Sequence, residues 1–162
     1  MPIETTSRLN APAAAVWERV ASFAGVNDEL RPFLRMTAPG GSDRIEPSEV
    51  VLGERLGRSY MLLFAVLPVD YDDVTLVALE PGRGFHERSS MLSMRTWEHI
   101  RTVEPDGPGA CTVTDRVSFA PRLGLPAALF APLVGRVFEH RHRRLRMRFG
   151  GVAANRDADA RP

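Results

Sequence analysis

The chain contains no lysine; all 21 of its cationic side chains are arginine. We read this as a coding bias toward GC-rich codons and not as a mark of function. It also has a single cysteine, Cys111. That excludes an internal disulfide and a cysteine-rich zinc site, and it fits a reducing compartment, so a cytoplasmic location is expected. Long hydrophobic runs are missing too. The most apolar stretches are broken by Pro, Gly or Arg and are too short to span a bilayer. The first nine residues are polar and alternating, unlike a signal peptide. The formal net charge is only +1, so the chain as a whole has no strong attraction to nucleic acid or membrane. There is no internal repeat, no nucleophile-elbow serine pattern and no phosphate-cradling glycine loop. The segment Gly82-Arg83-Gly84 lies between strands, not before a helix. What is present, 162 residues with 44% hydrophobic and 25% charged side chains, suits one globular domain. A domain of this length buries about 70% of the surface of its unfolded chain.

Alternation from Ile3 to Leu9 predicts a first strand. Asn10 is placed to cap a helix, Pro12 suits its first turn, and Val16, Trp17, Val20 and Phe23 supply its stripe. Gly25 is expected to interrupt that helix, and a second short one runs from about Val26 to Arg31, ended by Pro32. A short strand is expected over Phe33 to Thr37, then a loop at Pro39-Gly40-Gly41-Ser42. Five further strands follow at Leu56–Val66, Val69–Leu79, Phe85–Ser90, Met94–Val103 and Thr112–Phe119. Pro126 opens a short helical piece, and a long helix occupies Pro132 to Phe149, stopped by Gly150 and Gly151. The expected domain is residues 1–150, with a disordered tail over 151–162. The fold class is therefore α+β: a curved antiparallel sheet of about six to seven strands whose inner face must be covered. The long C-terminal helix is the only element large enough to cover it.

That helix carries the most informative residue. At about 100° per residue, Val134, Phe138, Leu145 and Phe149 fall in one narrow sector. Arg141 falls in the same sector, whereas Arg136, Arg143 and Arg146 fall on the opposite side. An unpaired buried guanidinium is costly, so Arg141 requires a partner or a wet cavity beneath the helix.

If the turn from Glu104 to Gly109 closes a hairpin centred on Gly107, His99 stands opposite Asp115 and Trp97 opposite Val117. His99 and Asp115 then share a face, and Arg141 on the covering helix can reach Asp115. His86 could join from the preceding strand. His140 and His142, two apart on a helix, point in different directions, and no third ligand accompanies His86 and His99, so no metal site is expected. Cys111 has no base nearby and reads as a small half-buried residue.

This layout resembles the START-like, Bet v 1-like (SRPBCC) superfamily over Ile3 to about Phe149. The strings that carry the resemblance are Ala11-Pro12-Ala13-Ala14-Ala15-Val16-Trp17, Trp97-Glu98-His99, Thr114-Asp115-Arg116-Val117 and Phe138-Glu139-His140-Arg141-His142. They are similar to a bacterial subgroup often labelled ligand-binding or polyketide cyclase-like. The resemblance implies a helix-grip fold holding a small hydrophobic or amphipathic molecule between sheet and helix, with some relatives acting as aromatases or cyclases. One departure stands out. After the Leu67-Pro68 turn, relatives often carry basic residues, whereas this chain has Asp72 and Asp73, which argues against an acidic ligand.

Three readings of the constellation remain open. Trp97, His99, Asp115, Phe119, Phe138 and Arg141 line a site for a small hydrophobic or aromatic ligand, Arg141 meeting its oxygen. Alternatively, His99 tuned by Asp115 is the acid/base of a polyketide cyclase- or aromatase-type enzyme. Or the polar residues form a closed structural network. Large inner-face residues such as Met61, Phe64 and Met94 could fill the cavity altogether. A rival function is an interaction protein using the arginine-rich face of Arg136, Arg143, Arg144, Arg146 and His140. That face lacks the interleaved aromatics that stack on bases, so a nucleic-acid partner is not expected. No cofactor is expected, and the chain is expected to be a monomer or homodimer.

Overall fold

The computed structural model describes residues 2–39, 48 and 50–154. The chain runs β1 (Ile3–Leu9), α1 (Ala13–Val20), α2 (Phe23–Leu30), β2 (Leu34–Met36), β3 (Arg55–Leu63), β4 (Leu67–Glu80), β5 (Gly84–Met91), β6 (Met94–Pro105), β7 (Cys111–Pro121), α3 (Ala131–Phe149) and β8 (Gly151–Ala153). A 3₁₀ turn at Ala127–Leu129, entered from Pro126, precedes α3. The strands form one open antiparallel sheet in the order β2-β3-β4-β5-β6-β7-β1-β8. The sheet has eight strands, not six to seven. The extra strand is β8, which pairs with β1 through Ser7, Arg8 and Leu9, so the expected disordered tail does not begin at residue 151. Three residues are too few to display an alternation, and two of them follow directly on glycines. The rest of that tail, from residue 155, and the Gly40-Gly41-Ser42 loop lie outside the described residues.

Local sequence accounts for the joints. Asn10 does not cap α1; its backbone N–H instead donates to the Gly150 carbonyl at 3.3 Å, tying the start of α1 to the end of α3. Gly25 does not interrupt a helix either. It sits inside α2, where a Cβ would stand 1.8 Å from the Arg19 carbonyl oxygen. Its missing side chain lets α1 and α2 meet. Ser22 caps α2, accepting from the Gly25 N–H at 3.1 Å, and for that reason the second helix starts earlier than its apolar stripe suggests. Gly150, at φ +71°, releases the chain from α3 in a conformation that disfavours other residues.

The core has two apolar regions. One gathers Leu9, Val16, Val20, Val103, Cys111, Val113 and Leu145. The other gathers Val117, Val134 and Phe138, with Ile3, Trp97 and Phe119 against them. Between them runs a polar belt. On β7 the inward positions read Val113, Asp115, Val117; on β6, Trp97, His99, Arg101, Val103; on β1, Ser7, Leu9. On α3, Phe138 and Leu145 flank Arg141 and His142. Four elements thus place polar groups at the same depth. Buried polar groups of this kind are tolerable only when they satisfy one another.

Candidate functional site

Asp115 is the centre of the belt and is 1% exposed. It accepts from Arg101 Nε and Nη2, both at 2.7 Å, from His99 Nε2 at 2.8 Å and from His142 Nε2 at 3.0 Å. Burial alone would push its pKa up. The Arg101 guanidinium, with His99 and His142, instead holds it well below the usual carboxylate range. An ionised Asp115 accepts only, so each histidine donates through Nε2. His142 Nδ1 is hydrogen-bonded to Ser7 Oγ at 2.9 Å, and Ser7 accepts from Arg146 at 2.7 Å.

Arg101 also forks onto Glu29 of α2, with both contacts at 2.9 Å. Glu29 takes a further hydrogen bond, from Arg141 Nε at 2.8 Å. Here too burial opposes ionisation, and Arg101 and Arg141 overcome it, holding Glu29 below its ordinary value. Arg141 is buried, as its helical position predicts, but its partner is Glu29 and not Asp115. Arg101 reaches Asp115 first, because it lies on the neighbouring strand directly opposite it.

The β6–β7 register differs from the expected one by two residues. His99 pairs with Val117, Trp97 with Phe119 and Arg101 with Asp115. The turn closes through the Asp106 N–H to the Ala110 carbonyl, so its centre falls at Pro108 rather than Gly107. A slip of two preserves the face of every side chain, and His99 therefore still reaches Asp115 along the diagonal. His86 does not join them. It stands opposite Ile100, on the other face of β5, and bonds Glu98 at 2.8 Å.

On the side of His99 away from Asp115 the belt opens into a cavity of about 240 Å³ between α1, α2 and strands β4 to β6. Its walls are apolar, with Trp17, Phe23, Val26, Met36, Leu76 and Phe85 among them. Its polar lining includes Asp72, Glu87, His99 and Arg141. Glu87 lies 3.8 Å from His99 Nδ1 and accepts from Ser89 Oγ at 2.6 Å. Asp72 is 3% exposed, and no hydrogen-bond partner reaches its Oδ1 among the described residues. Burial, and then the neighbouring Glu87 carboxylate, push its pKa up to about 9. Asp73, by contrast, faces out and takes a two-pronged contact from Arg58 at 2.8 and 2.9 Å.

Of the six residues expected to line a site, His99 and Arg141 line this cavity. Asp115 stands behind His99. Trp97, Phe119 and Phe138 pack into the second apolar region, with Trp97 stacked on Phe119 at 6.1 Å between ring centroids. Phe138 nevertheless meets the His99 ring edge-on at 5.1 Å and so fixes its plane. Met61, Phe64 and Met94 do not fill the cavity. Phe64 is 61% exposed, in the β3–β4 turn, and Met94 is buried elsewhere.

Sequence reading missed Arg101, Glu29 and Glu87. Arg101 was within reach, since it is two residues from His99 on the same strand and so shares its face. Glu87 shares a face with Phe85. Glu29 has no such signal, because charged residues on a short helix are ordinarily solvated. The arginine-rich face of α3 is partly engaged: Arg144 bonds Asp28 and Arg143 bonds His140. Among the described residues, no group of three or more His, Cys, Asp or Glu is arranged to hold a metal, and no helix is long and apolar enough to cross a membrane.

Solved structures share this architecture at low sequence identity. A protein from Chromobacterium violaceum superposes with a TM-score of 0.66 at 14% identity, covering 92% of this chain and 97% of that one. A START superfamily protein from Mycobacterium smegmatis gives 0.65 at 13%, covering 91% and 96%. The Zhui aromatase/cyclase from Streptomyces sp. R1128 gives 0.63 at 15%, covering 90% of each chain. These likenesses establish a START-like, Bet v 1-like fold. No protein among those with curated descriptions matches the sequence. A family model does match residues 7–149, which span the polar belt and the cavity, and the chain therefore belongs to the family described as Domain of unknown function (DUF8410).

Proposed function

We propose that this protein binds a small hydrophobic or aromatic molecule in the cavity between α1, α2, α3 and strands β4 to β6. The observation that carries this reading is the pairing of apolar walls with a few convergent polar groups, in a cavity that side chains leave open. A closed structural network would account for Asp115, Glu29, Arg101 and Arg141, which satisfy one another. It does not account for about 240 Å³ of space beside them. The volume suits a molecule of one or two rings. Native mass spectrometry of freshly purified protein should reveal a discrete small-molecule mass that is lost on denaturation. A clean apo mass, together with no calorimetric binding of any phenylalkyl probe, would overturn the reading.

A second reading is acid/base catalysis of the cyclase or aromatase type. It is favoured by one geometric feature: His99 is oriented by Asp115 through Nε2 and turns Nδ1 toward the cavity and Glu87. A ring anchored by a buried carboxylate on one nitrogen, with the other nitrogen at the cavity, is suited to move protons. Turnover of a polyketide surrogate should fall about a hundredfold or more in His99→Gln. Turnover that survives the change would remove His99 from this role.

A further inference from the structure

Asp72 and Glu87 stand side by side in the cavity, whose other polar lining is Glu18, Ser22, His99 and Arg141. Both carboxylates accept hydrogen bonds, so neither can satisfy the other unless a proton lies between them. Ser89 Oγ is one donor to this pair, at 2.6 Å from Glu87, and Asp72 Oδ1 has no partner among the described residues. Acidic groups outnumber guanidinium groups in this part of the core, and Asp72 and Glu87 hold one proton between them. Asp72, Glu87, Glu29 and Asp115 are four carboxyl groups, against the two guanidinium groups of Arg101 and Arg141. Both guanidinium groups are already engaged with Glu29, and Arg101 with Asp115 as well.

Resting on the ligand-binding reading above, we infer that the polar end of the ligand is a basic nitrogen, an ammonium group that docks on Asp72 and Glu87 while its apolar body lies against Phe23, Met36 and Leu76. An ammonium N–H supplies the donor that Asp72 Oδ1 lacks. Its positive charge takes the place of the proton between the two carboxyl groups, which leaves to solvent. An alcohol or ketone cannot make that exchange, and a carboxylate would add a fifth acid to the cluster. Asp70 on its own strand and Glu87 and Ser89 on β5 act on Asp72 directly, and His99 on β6, Arg141 on α3, Glu18 on α1 and Ser22 line the same cavity. Among them only Arg141, and His99 when protonated, oppose a cation. Arg141 lines the cavity too, but its charge is shared with Glu29, to which its Nε donates at 2.8 Å.

The test compares 4-phenylbutylamine, 4-phenylbutanol and 5-phenylpentanoate by isothermal calorimetry on the full chain. They share one apolar body and differ only in the head. The amine should bind about tenfold or more tighter than the alcohol at pH 7, and the acid least of all. Amine affinity should rise with pH between 6 and 9, by up to about tenfold per unit, because binding releases the shared proton. Asp72→Asn should abolish both the preference and the pH slope. Glu87→Gln should do the same, and it serves if the first variant does not fold. Equal binding of amine and alcohol, with no pH slope, would overturn the amine while leaving the cavity reading standing. Binding of none of the three would overturn both.

Discussion

Arg101 holds two carboxylates at once. Its side chain is fully buried, and five donor positions spread over Nε, Nη1 and Nη2 let it bind Asp115 and Glu29 as two forks. A lysine could supply only a point charge there, and the geometry of both forks would be lost. Removing one partner of a buried ion pair leaves an uncompensated charge, which costs about 3–5 kcal/mol. Arg101→Met should therefore lower the unfolding free energy measured in urea by an amount in that range, with little change in slope. Replacing Glu29 by Gln in the same chain should recover part of the loss, because the belt then holds one carboxylate, Asp115, against one guanidinium, Arg141. A shift below about 1 kcal/mol for Arg101→Met would mean that water reaches the belt. At this scale sequence reading found Arg141 and the His99–Asp115 contact. Arg141 stands out because a charge on an apolar helical stripe is anomalous. The His99–Asp115 contact follows from strand alternation.

The elements were legible because their signals are periodic. Strands β3 to β7 and helix α3 lie where alternation and helical spacing put them, within a few residues at their ends. The failures have local causes. A six-residue turn containing Gly107 and Gly109 has no single centre, so spacing alone places the β6–β7 register two residues from the observed one. The start of α2 depends on the Ser22 cap and on the side-chain-free contact of Gly25 with Arg19, not on any apolar period. The placement of α2 matters most, because it carries Glu29 into the core and closes the cavity. Asn27 pins it by a pair of hydrogen bonds to the backbone of Met36 on β2, at 2.9 and 2.7 Å. A single asparagine gives no warning of such a role.

The whole molecule should be most stable in mildly acidic solution. Asp115 and Glu29 have folded pKa values below their unfolded ones. Their contribution is complete above the ordinary carboxylate range and is lost as pH falls through the folded values, because the unfolded chain then binds more protons. Asp72 has the opposite sign. Its folded pKa, about 9, lies above the unfolded value, so the folded state is disfavoured progressively as pH rises from about 4 to 9. The slope reaches at most about 1.4 kcal/mol per unit. Urea midpoints measured from pH 3 to 9 should rise, pass a maximum near pH 5 and decline. Asp72→Asn should flatten the alkaline limb alone. A midpoint constant from pH 5 to 9 in the parent chain would contradict an acid held neutral at Asp72.

The residue order alone accounts for the order of elements, a curved antiparallel sheet under a long helix, and charge inside the core. Those properties follow from periods of 2 and 3.6 residues and from the cost of burying a guanidinium, and both act along the chain. Packing in three dimensions sets which carboxylate answers which arginine, that Asp72 turns inward while Asp73 turns out, and that the open space lies against α2 rather than against Trp97 and Phe119. Pairing and empty volume depend on the packing of α2, α3 and four strands together. No interval along the chain encodes the distance between residues 29, 101 and 141.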